Sequence, residues 1–241
     1  TYDLANHLIS ADMINNTGSI DYTIDPLGRK SGIDTSVWSS HIQAYDKVGN
    51  ILKKSTLDCV GDVDLNYSYD SLYQLEKEEG ETSHEYTYDS INNRLSKDRI
   101  QYSINDLNQI TSDGVNDYVY DRNGNLIQSI DTISGNTVVF TYDALDRLII
   151  VTKPDQQFRY TYDENNRRLL KRAFQLDLNG NWQETQIIRY LFQGENESGA
   201  YDANGNALEL RVLGLGQGAE IGAAIAIEVN RKCYAPIHDL H

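Results

Sequence analysis

A short strand ending in tyrosine-aspartate, then a tight turn, recurs through almost the whole 241-residue chain. No other feature restricts the fold so strongly, because a fixed internal period selects repeat architectures. Tyr118-Val119-Tyr120-Asp121-Arg122-Asn123-Gly124-Asn125-Leu126 shows the pattern at its clearest. Aligned on the acid, the units fall at Asp3, Asp25, Asp46, Asp70, Asp89, Asn105, Asp121, Asp143, Asp163, Asp177 and Asp202. Their spacing runs from 14 residues (Asp163 to Asp177) to 25 (Asp177 to Asp202). The preceding residue is Tyr2, Ile24, Tyr45, Tyr69, Tyr88, Ile104, Tyr120, Tyr142, Tyr162, Leu176 or Tyr201. Two places further back, Tyr22, Tyr67, Tyr86, Tyr102, Tyr118, Phe140, Tyr160 and Phe174 supply a second aromatic. Aromatics two apart share one face of a strand.

The third residue after the acid sets the turn. It is Asn6, Gly28, Gly49, Tyr73, Asn108, Gly124, Asp146, Asn166, Gly180 or Gly205, and Asn93 takes the place in the Asp89 unit if one residue is inserted. Gly, Asn and Asp tolerate positive φ, so Tyr73 is the one departure. The aspartate reads as the cap of its own turn, accepting backbone amides two residues on. A polar residue and then an aliphatic follow, as at Asn125-Leu126 and Arg147-Leu148. Asp25 with Arg29, Asp143 with Arg147 and Asp163 with Arg167 are placed to pair across the loop. Each unit is thus strand, turn, strand, and the chain is all-β: repeated β-hairpins in a long antiparallel sheet. Such strands give the wall one tyrosine-rich, packed face and one polar face. The structural turn motif is carried by Asp25, Gly28, Asp46, Gly49, Asp121, Gly124, Asp143, Asp163, Asp177, Gly180, Asp202 and Gly205. Residues 76–81, although charged, contain Gly80 and read as an exposed hairpin end rather than a helix.

Residues 1–241 read as a single repeat segment without a domain boundary, and 207–241 as its irregular end, where Ile221, Ala223, Ile225, Ile227 and Val229 alternate as in a strand. The chain opens within a motif, at Tyr2-Asp3, as an excerpt of a longer polypeptide would. Net charge is −15, with no basic stripe to displace counterions from phosphates, which argues against a nucleic-acid partner. No apolar run is long enough for a membrane helix. Cys59 and Cys233 form no metal or redox motif; each reads as a free buried thiol, with a disulfide as the alternative.

The units Tyr-Asp-x-x-Gly-Asn-Leu and Tyr-Asp-x-x-x-Arg-Leu resemble the YD repeats of the RHS family. That family includes bacterial polymorphic toxins, the C components of Tc toxins, and the teneurins. The resemblance covers nearly the whole chain, and the end from Tyr190 to His241 resembles the stretch just before the RHS core. It implies a sheet wound as a spiral into a hollow shell, or cocoon, enclosing a cargo. In bacterial members that cargo is the toxic C-terminal domain of the same polypeptide, secreted or held at the cell surface, with other toxin-complex or secretion components as further partners. Some members free the toxin with aspartates of a core Asp-Pro-x-Gly motif. Asp25-Pro26-Leu27-Gly28 has those letters, but it lies inside an ordinary repeat, so no protease role is assigned to it. The core itself would lie beyond His241. The teneurin side of the resemblance implies an alternative, a surface adhesion module that binds a receptor or glycan.

Other chemistry is poorly served. Asp-x-Asn-Gly-Asn at 121–125, 177–181 and 202–206 suggests calcium, but an EF-hand loop needs glycine at position 6 and a bidentate Glu at 12. Here glycine is fourth and position 12 is Thr132, Ile188 or Leu213, so the turn reading is preferred. Gly214-Leu215-Gly216-Gln217-Gly218-Ala219 fits a loose dinucleotide fingerprint, but no helix pattern follows to receive a pyrophosphate. His238 and His241 lie three apart on a strand and point to opposite faces, a poor chelating pair. His7, His41 and His84 are scattered, and no nucleophile has a partner. The expectation is a non-enzymatic chain with no catalytic, cofactor-binding or metal site.

Overall fold

The computed structural model describes residues 1–13, 18–213, 224–234 and 236. The Gly214–Ala219 fingerprint and the His238–His241 segment lie outside them. The described residues form strands and turns without a helix, in two compact units, one built on Thr1–Ile100 and one on Gln101 onward.

The first unit carries a ten-stranded sheet. Its strands are β1 Ser10–Asp12, β2 Ser19–Ile24, β3 Lys30–Asp34, β4 Ser39–Tyr45 and β5 Ile51–Leu57. Then follow β6 Asp62–Tyr69, β7 Leu75–Glu79, β8 His84–Tyr88, β9 Arg94–Lys97 and β10 Ile100–Gln101. The second unit carries thirteen strands. They begin with β11 Ser103–Ile104, β12 Ile110–Ser112, β13 Asn116–Tyr120, β14 Leu126–Asp131, β15 Thr137–Tyr142 and β16 Leu148–Thr152. The sheet continues through β17 Gln156–Tyr162, β18 Arg168–Leu176, β19 Trp182–Gln193 and β20 Asn196–Tyr201. It ends with β21 Ala207–Leu213, β22 Ala224–Val229 and β23 Lys232–Tyr234. Each strand pairs with its sequence neighbour, and neither sheet closes into a barrel. Such local pairing is what hairpin repeats dictate.

Alternation gives each strand two faces. Along β6, half-buried Val63, Leu65, Tyr67 and Tyr69 alternate with exposed Asp62, Asp64, Asn66 and Ser68. Registered residues continue the inner row across neighbouring strands, Tyr22 opposite Ile33, Ile33 opposite Ser40 and Ser40 opposite Thr56. Ile33 and Ser40 are the most deeply buried side chains, and Ile42, Val151, Phe174 and Ala200 complete the buried apolar set.

Register slips once beside almost every turn. Tyr120 faces Leu126 while Val119 faces Gln128, leaving Ile127 as an extra residue. The same bulge isolates Ile149 opposite Thr141-Tyr142 and Leu169 opposite Thr161-Tyr162. A bulge of this kind bends the strand and sharpens its twist.

Unequal spacing has a structural consequence. The 14 residues between Asp163 and Asp177 hold one strand, β18, instead of the usual two. The Asp177 turn therefore lies at the opposite end of the sheet, and Phe174 does not join the tyrosine face. It is registered with Gln157, whereas Ala173 faces Phe158. Phe174 is buried beneath the guanidinium groups of Arg159 and Arg172, 4.6 and 5.5 Å from its ring centroid. The face opposite the tyrosines is thus not uniformly polar.

Both cysteines are free and exposed, which corrects the expectation of buried thiols. Cys59 sits in the β5–β6 turn and Cys233 on β23, the terminal strand of its sheet, both open to solvent.

Candidate functional site

The repeated polar groups gather in the turns. Asp121 accepts the amides of Asn123 and Asn125 on Oδ1, each at 2.9 Å, and the side-chain amide of Asn125 on Oδ2 at 3.0 Å. Its own amide donates to the carbonyl of Asn125, and Gly124 N–H closes onto the carbonyl of Asp121. Asp25, Asp143 and Asp163 hold the same arrangement with arginine, through Nε of Arg29, Arg147 and Arg167 at 2.6–2.7 Å. Asp46 and Asp202 use Asn50 and Asn206. Asp177 caps Asn179 and Asn181 and takes its side-chain bond from Gln183. Asn105 keeps both amide bonds and reverses the third, donating from Nδ2 to Oε1 of Gln109.

The fourth residue after the acid is therefore a clamp. It is His7, Arg29, Asn50, Gln74, Asn93, Gln109, Asn125, Arg147, Arg167, Asn181 or Asn206, in every unit a residue type able to donate, although Gln109 accepts and Gln183 takes the part of Asn181. Sequence reasoning saw only a polar position; its restriction to donors was the available signal. Asn93 belongs to this set. The Asp89 turn needs no insertion, because Asn92 takes the left-handed conformation at φ 69° and donates to the carbonyl of Asp89.

All eleven third positions have positive φ, from 58° at Asp146 to 102° at Gly49. Tyr73, at φ 63°, bears the left-handed strain in full. Tyr73→Asn is expected to raise stability by about 1 kcal/mol in urea unfolding. An unchanged or lower midpoint would mean that the exposed ring compensates.

Successive turns interlock. From His7, Arg29, Gln109, Asn125 and Arg147 the clamp reaches the third position of the next turn, where glycine leaves room and Asn or Asp accepts a bond. A methyl on Gly28 would lie 3.4 Å from His7 Nε2, and one on Gly124 3.4 Å from Gln109 Nε2. Asn125 donates to Asp146 Oδ1 at 2.8 Å, and Arg147 to the carbonyl of Asp163 at 2.9 Å. Arg29 also stacks 3.7 Å from the Tyr45 ring centroid.

The motif tyrosine ties back in the other direction. Tyr69, Tyr88, Tyr120, Tyr142 and Tyr162 donate through their hydroxyls to the carbonyls of Ile51, Leu75, Ile110, Leu126 and Leu148. Each acceptor lies five residues after the acid of the preceding unit. Burial pushes the phenols of Tyr69, Tyr120, Tyr142 and Tyr162 above their usual range, keeping them protonated donors. Tyr142→Phe is expected to cost about 1 kcal/mol of stability in urea unfolding, since it leaves the Leu126 carbonyl without this donor. No loss would show that this bond contributes nothing net.

Turns at the far ends of the strands carry caps that sequence reasoning missed because no tyrosine precedes them. Asp58 caps Val60 and Gly61, and Asp131 caps Ile133 and Ser134. Asp113 caps Val115 and Asn116 and also accepts the Tyr118 hydroxyl at 2.7 Å. Burial, then that bond to Asp113, pushes the Tyr118 phenol up to about 12.

The carboxylates are consequently committed to backbone. Hydrogen bonds from Asn125 hold Asp121 below the usual carboxylate range, and those from Asn206 do so for Asp202. At Asp143 and Asp163 partial burial pushes upward, but the amide and guanidinium of Arg147 and Arg167 outweigh it. His7, His41 and His84 pair with Asp3, Asp34 and Asp98. Among the described residues no group of three or more His, Cys, Asp and Glu is placed to hold a metal ion. Nor is any helix among them long and apolar enough to cross a membrane.

The teneurin YD-shell family model matches residues 1–179, close to three quarters of the chain. The chain belongs to the teneurin YD-shell family. It is also 33% identical over 149 residues to the tRNA3(Ser)-specific nuclease WapA of Bacillus spizizenii, covering 56% of this chain and 6% of that protein. Identity is 32% over 161 residues with the tRNA nuclease WapA of Bacillus subtilis, covering 61% and 6%. This YD-shell chain thus spans about 6% of the length of the curated relatives it matches. Among solved structures it aligns with TcdB2-TccC3-TEV at TM-score 0.47 and 16% identity, over 96% of this chain and 16% of that one. The interlocked turns are the parts of a YD-repeat shell segment.

Proposed function

We propose that this chain is a non-enzymatic stretch of shell wall, residues 1–241 throughout, in a secreted bacterial YD-repeat toxin. Its task is to sequester a toxic domain that follows in the same polypeptide. The observation that carries the reading is the commitment of the repeated acids to their own turns, and of the donors and motif tyrosine hydroxyls to those turns and their neighbours. Polar groups spent on backbone bonds are unavailable for acid-base or nucleophilic work. Relatives named as tRNA nucleases, which this chain matches over about 6% of their length, support a large protein whose activity resides elsewhere.

The test is limited proteolysis of the full-length polypeptide, with the toxic activity assayed alongside. A protected and latent downstream domain, released when the shell is opened, is the expected result. A domain cleaved freely and active from the start would overturn encapsulation. Receptor or glycan binding by a polypeptide with no such domain would favour the adhesion alternative.

A further inference from the structure

The tyrosine face of the second unit contains an arginine with unspent donors. Arg168 lies opposite Tyr162 in register, with its guanidinium carbon 4.6 Å from the Tyr190 ring centroid and 5.6 Å from that of Tyr160. Its Nε is sealed from solvent and donates to nothing. Among the described residues no hydrogen bond or ion pair reaches its guanidinium, nor do the hydroxyls of Tyr160 and Tyr190 have a partner. Two acids near the Tyr190 ring are already engaged, since Glu197 and Glu209 both pair with Arg211. Two lysines extend the feature, with Lys171 and Lys153 5.0 and 5.8 Å from the Phe158 ring centroid and without a carboxylate partner among the described residues.

This arrangement runs against both burial and overall charge. A partly buried guanidinium with unmet donors calls for an acceptor. The chain, at net charge −15, has acids in excess, yet supplies none here. The planar fork of arginine fits a carboxylate, and the flanking rings exclude water and favour the cation. Spacing adds direction. Lys171 and Arg168 lie opposite Tyr160 and Tyr162, one same-face step apart along β17, or about 7 Å. Alternate side chains of an extended peptide have that same repeat.

We propose that the cleft formed by Tyr160, Arg168 and Tyr190 binds a glutamate or aspartate of an extended acidic polypeptide. The bound chain runs along β17, and an acid two residues away reaches Lys171. A nucleic acid would present a charge at every phosphate to a strongly acidic chain with three clustered cations, so the peptide is the better match. The inference does not depend on which face of the wall is enclosed.

The test titrates the protein with a fluorescently labelled twelve-residue peptide carrying glutamate at alternate positions, and with its glutamine counterpart. The glutamate peptide should bind in a salt-sensitive manner and the glutamine peptide at least about tenfold more weakly. Arg168→Met should weaken binding about tenfold or more, with Arg168→Lys recovering only part, because lysine lacks the fork. Should Arg168→Met fail to fold, Lys171→Gln and Tyr190→Phe must each weaken binding severalfold. Equal affinity for the two peptides, indifference to these substitutions, or no binding at about 1 mM peptide would overturn the proposal. So would an oligouridylate of equal length that binds more tightly than the glutamate peptide.

Discussion

Gly199→Ala will destabilise the second unit by about 2–3 kcal/mol, the cost of overpacking a closed site. Gly199 is registered between Leu191 of β19 and Leu210 of β21. A methyl there would meet the carbonyl oxygen of Glu209 at 2.7 Å and Cδ2 of Leu210 at 2.9 Å. The first obstacle is backbone, so relief requires β21 to move away, loosening the pair that Arg211 makes with Glu197 of β20. Gly205→Ala provides the contrast. It would touch nothing within 4 Å, but has φ 83°, so it should cost only about 1 kcal/mol of left-handed strain. Urea unfolding of both variants distinguishes lost space from lost conformation. A Gly205 variant weaker than the Gly199 variant would contradict this ranking.

Acid will unfold the protein steeply, beginning at about pH 4. Asp3, Asp25, Asp46, Asp89, Asp121, Asp143, Asp163, Asp177 and Asp202 all have carboxyl pKa values lowered in the folded chain. The unfolded chain binds protons at higher pH, so the stability these groups contribute is present above the ordinary carboxylate value. It disappears as pH falls through the lowered folded values. A second limb should open above about pH 10, since Tyr69, Tyr118, Tyr120, Tyr142 and Tyr162 are shifted upward and resist ionisation until the chain unfolds.

Substitution by asparagine separates the turns into two classes. Asp202→Asn should be tolerated, because Asn206 can flip its amide and accept, as Gln109 does for Asn105. Asp163→Asn should not, because Arg167 has no acceptor and would face the new side-chain amide. Thermal unfolding should show a clear fall for Asp163→Asn and a small one for Asp202→Asn. Equal effects would show that the clamp bond adds nothing to the amide caps.

Most of this architecture can be read from residues. Paired aromatics, a capping acid and a positive-φ residue at fixed offsets specify a hairpin, and eleven repetitions specify an all-β array. Hidden features have physical causes. The bulge at Ile127 or Ile149 follows from turn geometry, and two adjacent aliphatics do not announce which one is extra. Hydroxyl bonds such as that of Tyr142 to the Leu126 carbonyl join separate units, so no local pattern encodes them. Displacement of Phe174 to the other face was visible as a 14-residue gap, but only if each gap is converted into a number of strands. The cleft at Arg168 depends on β17, β18 and β19 lying side by side, which composition does not reveal.

Native-state hydrogen exchange tests whether the turns act as one wall or as independent hairpins. The amides of Asn125, Arg147 and Arg167 report three successive turns, each bonded to the carboxylate of its own aspartate. Tyr142→Phe cuts one of the ties between the first two, the hydroxyl bond to Leu126, and leaves every cap in place. The interlocked account predicts faster exchange at both Asn125 and Arg147, with a smaller rise at Arg167. A change confined to Arg147, with Asn125 as protected as before, would contradict it.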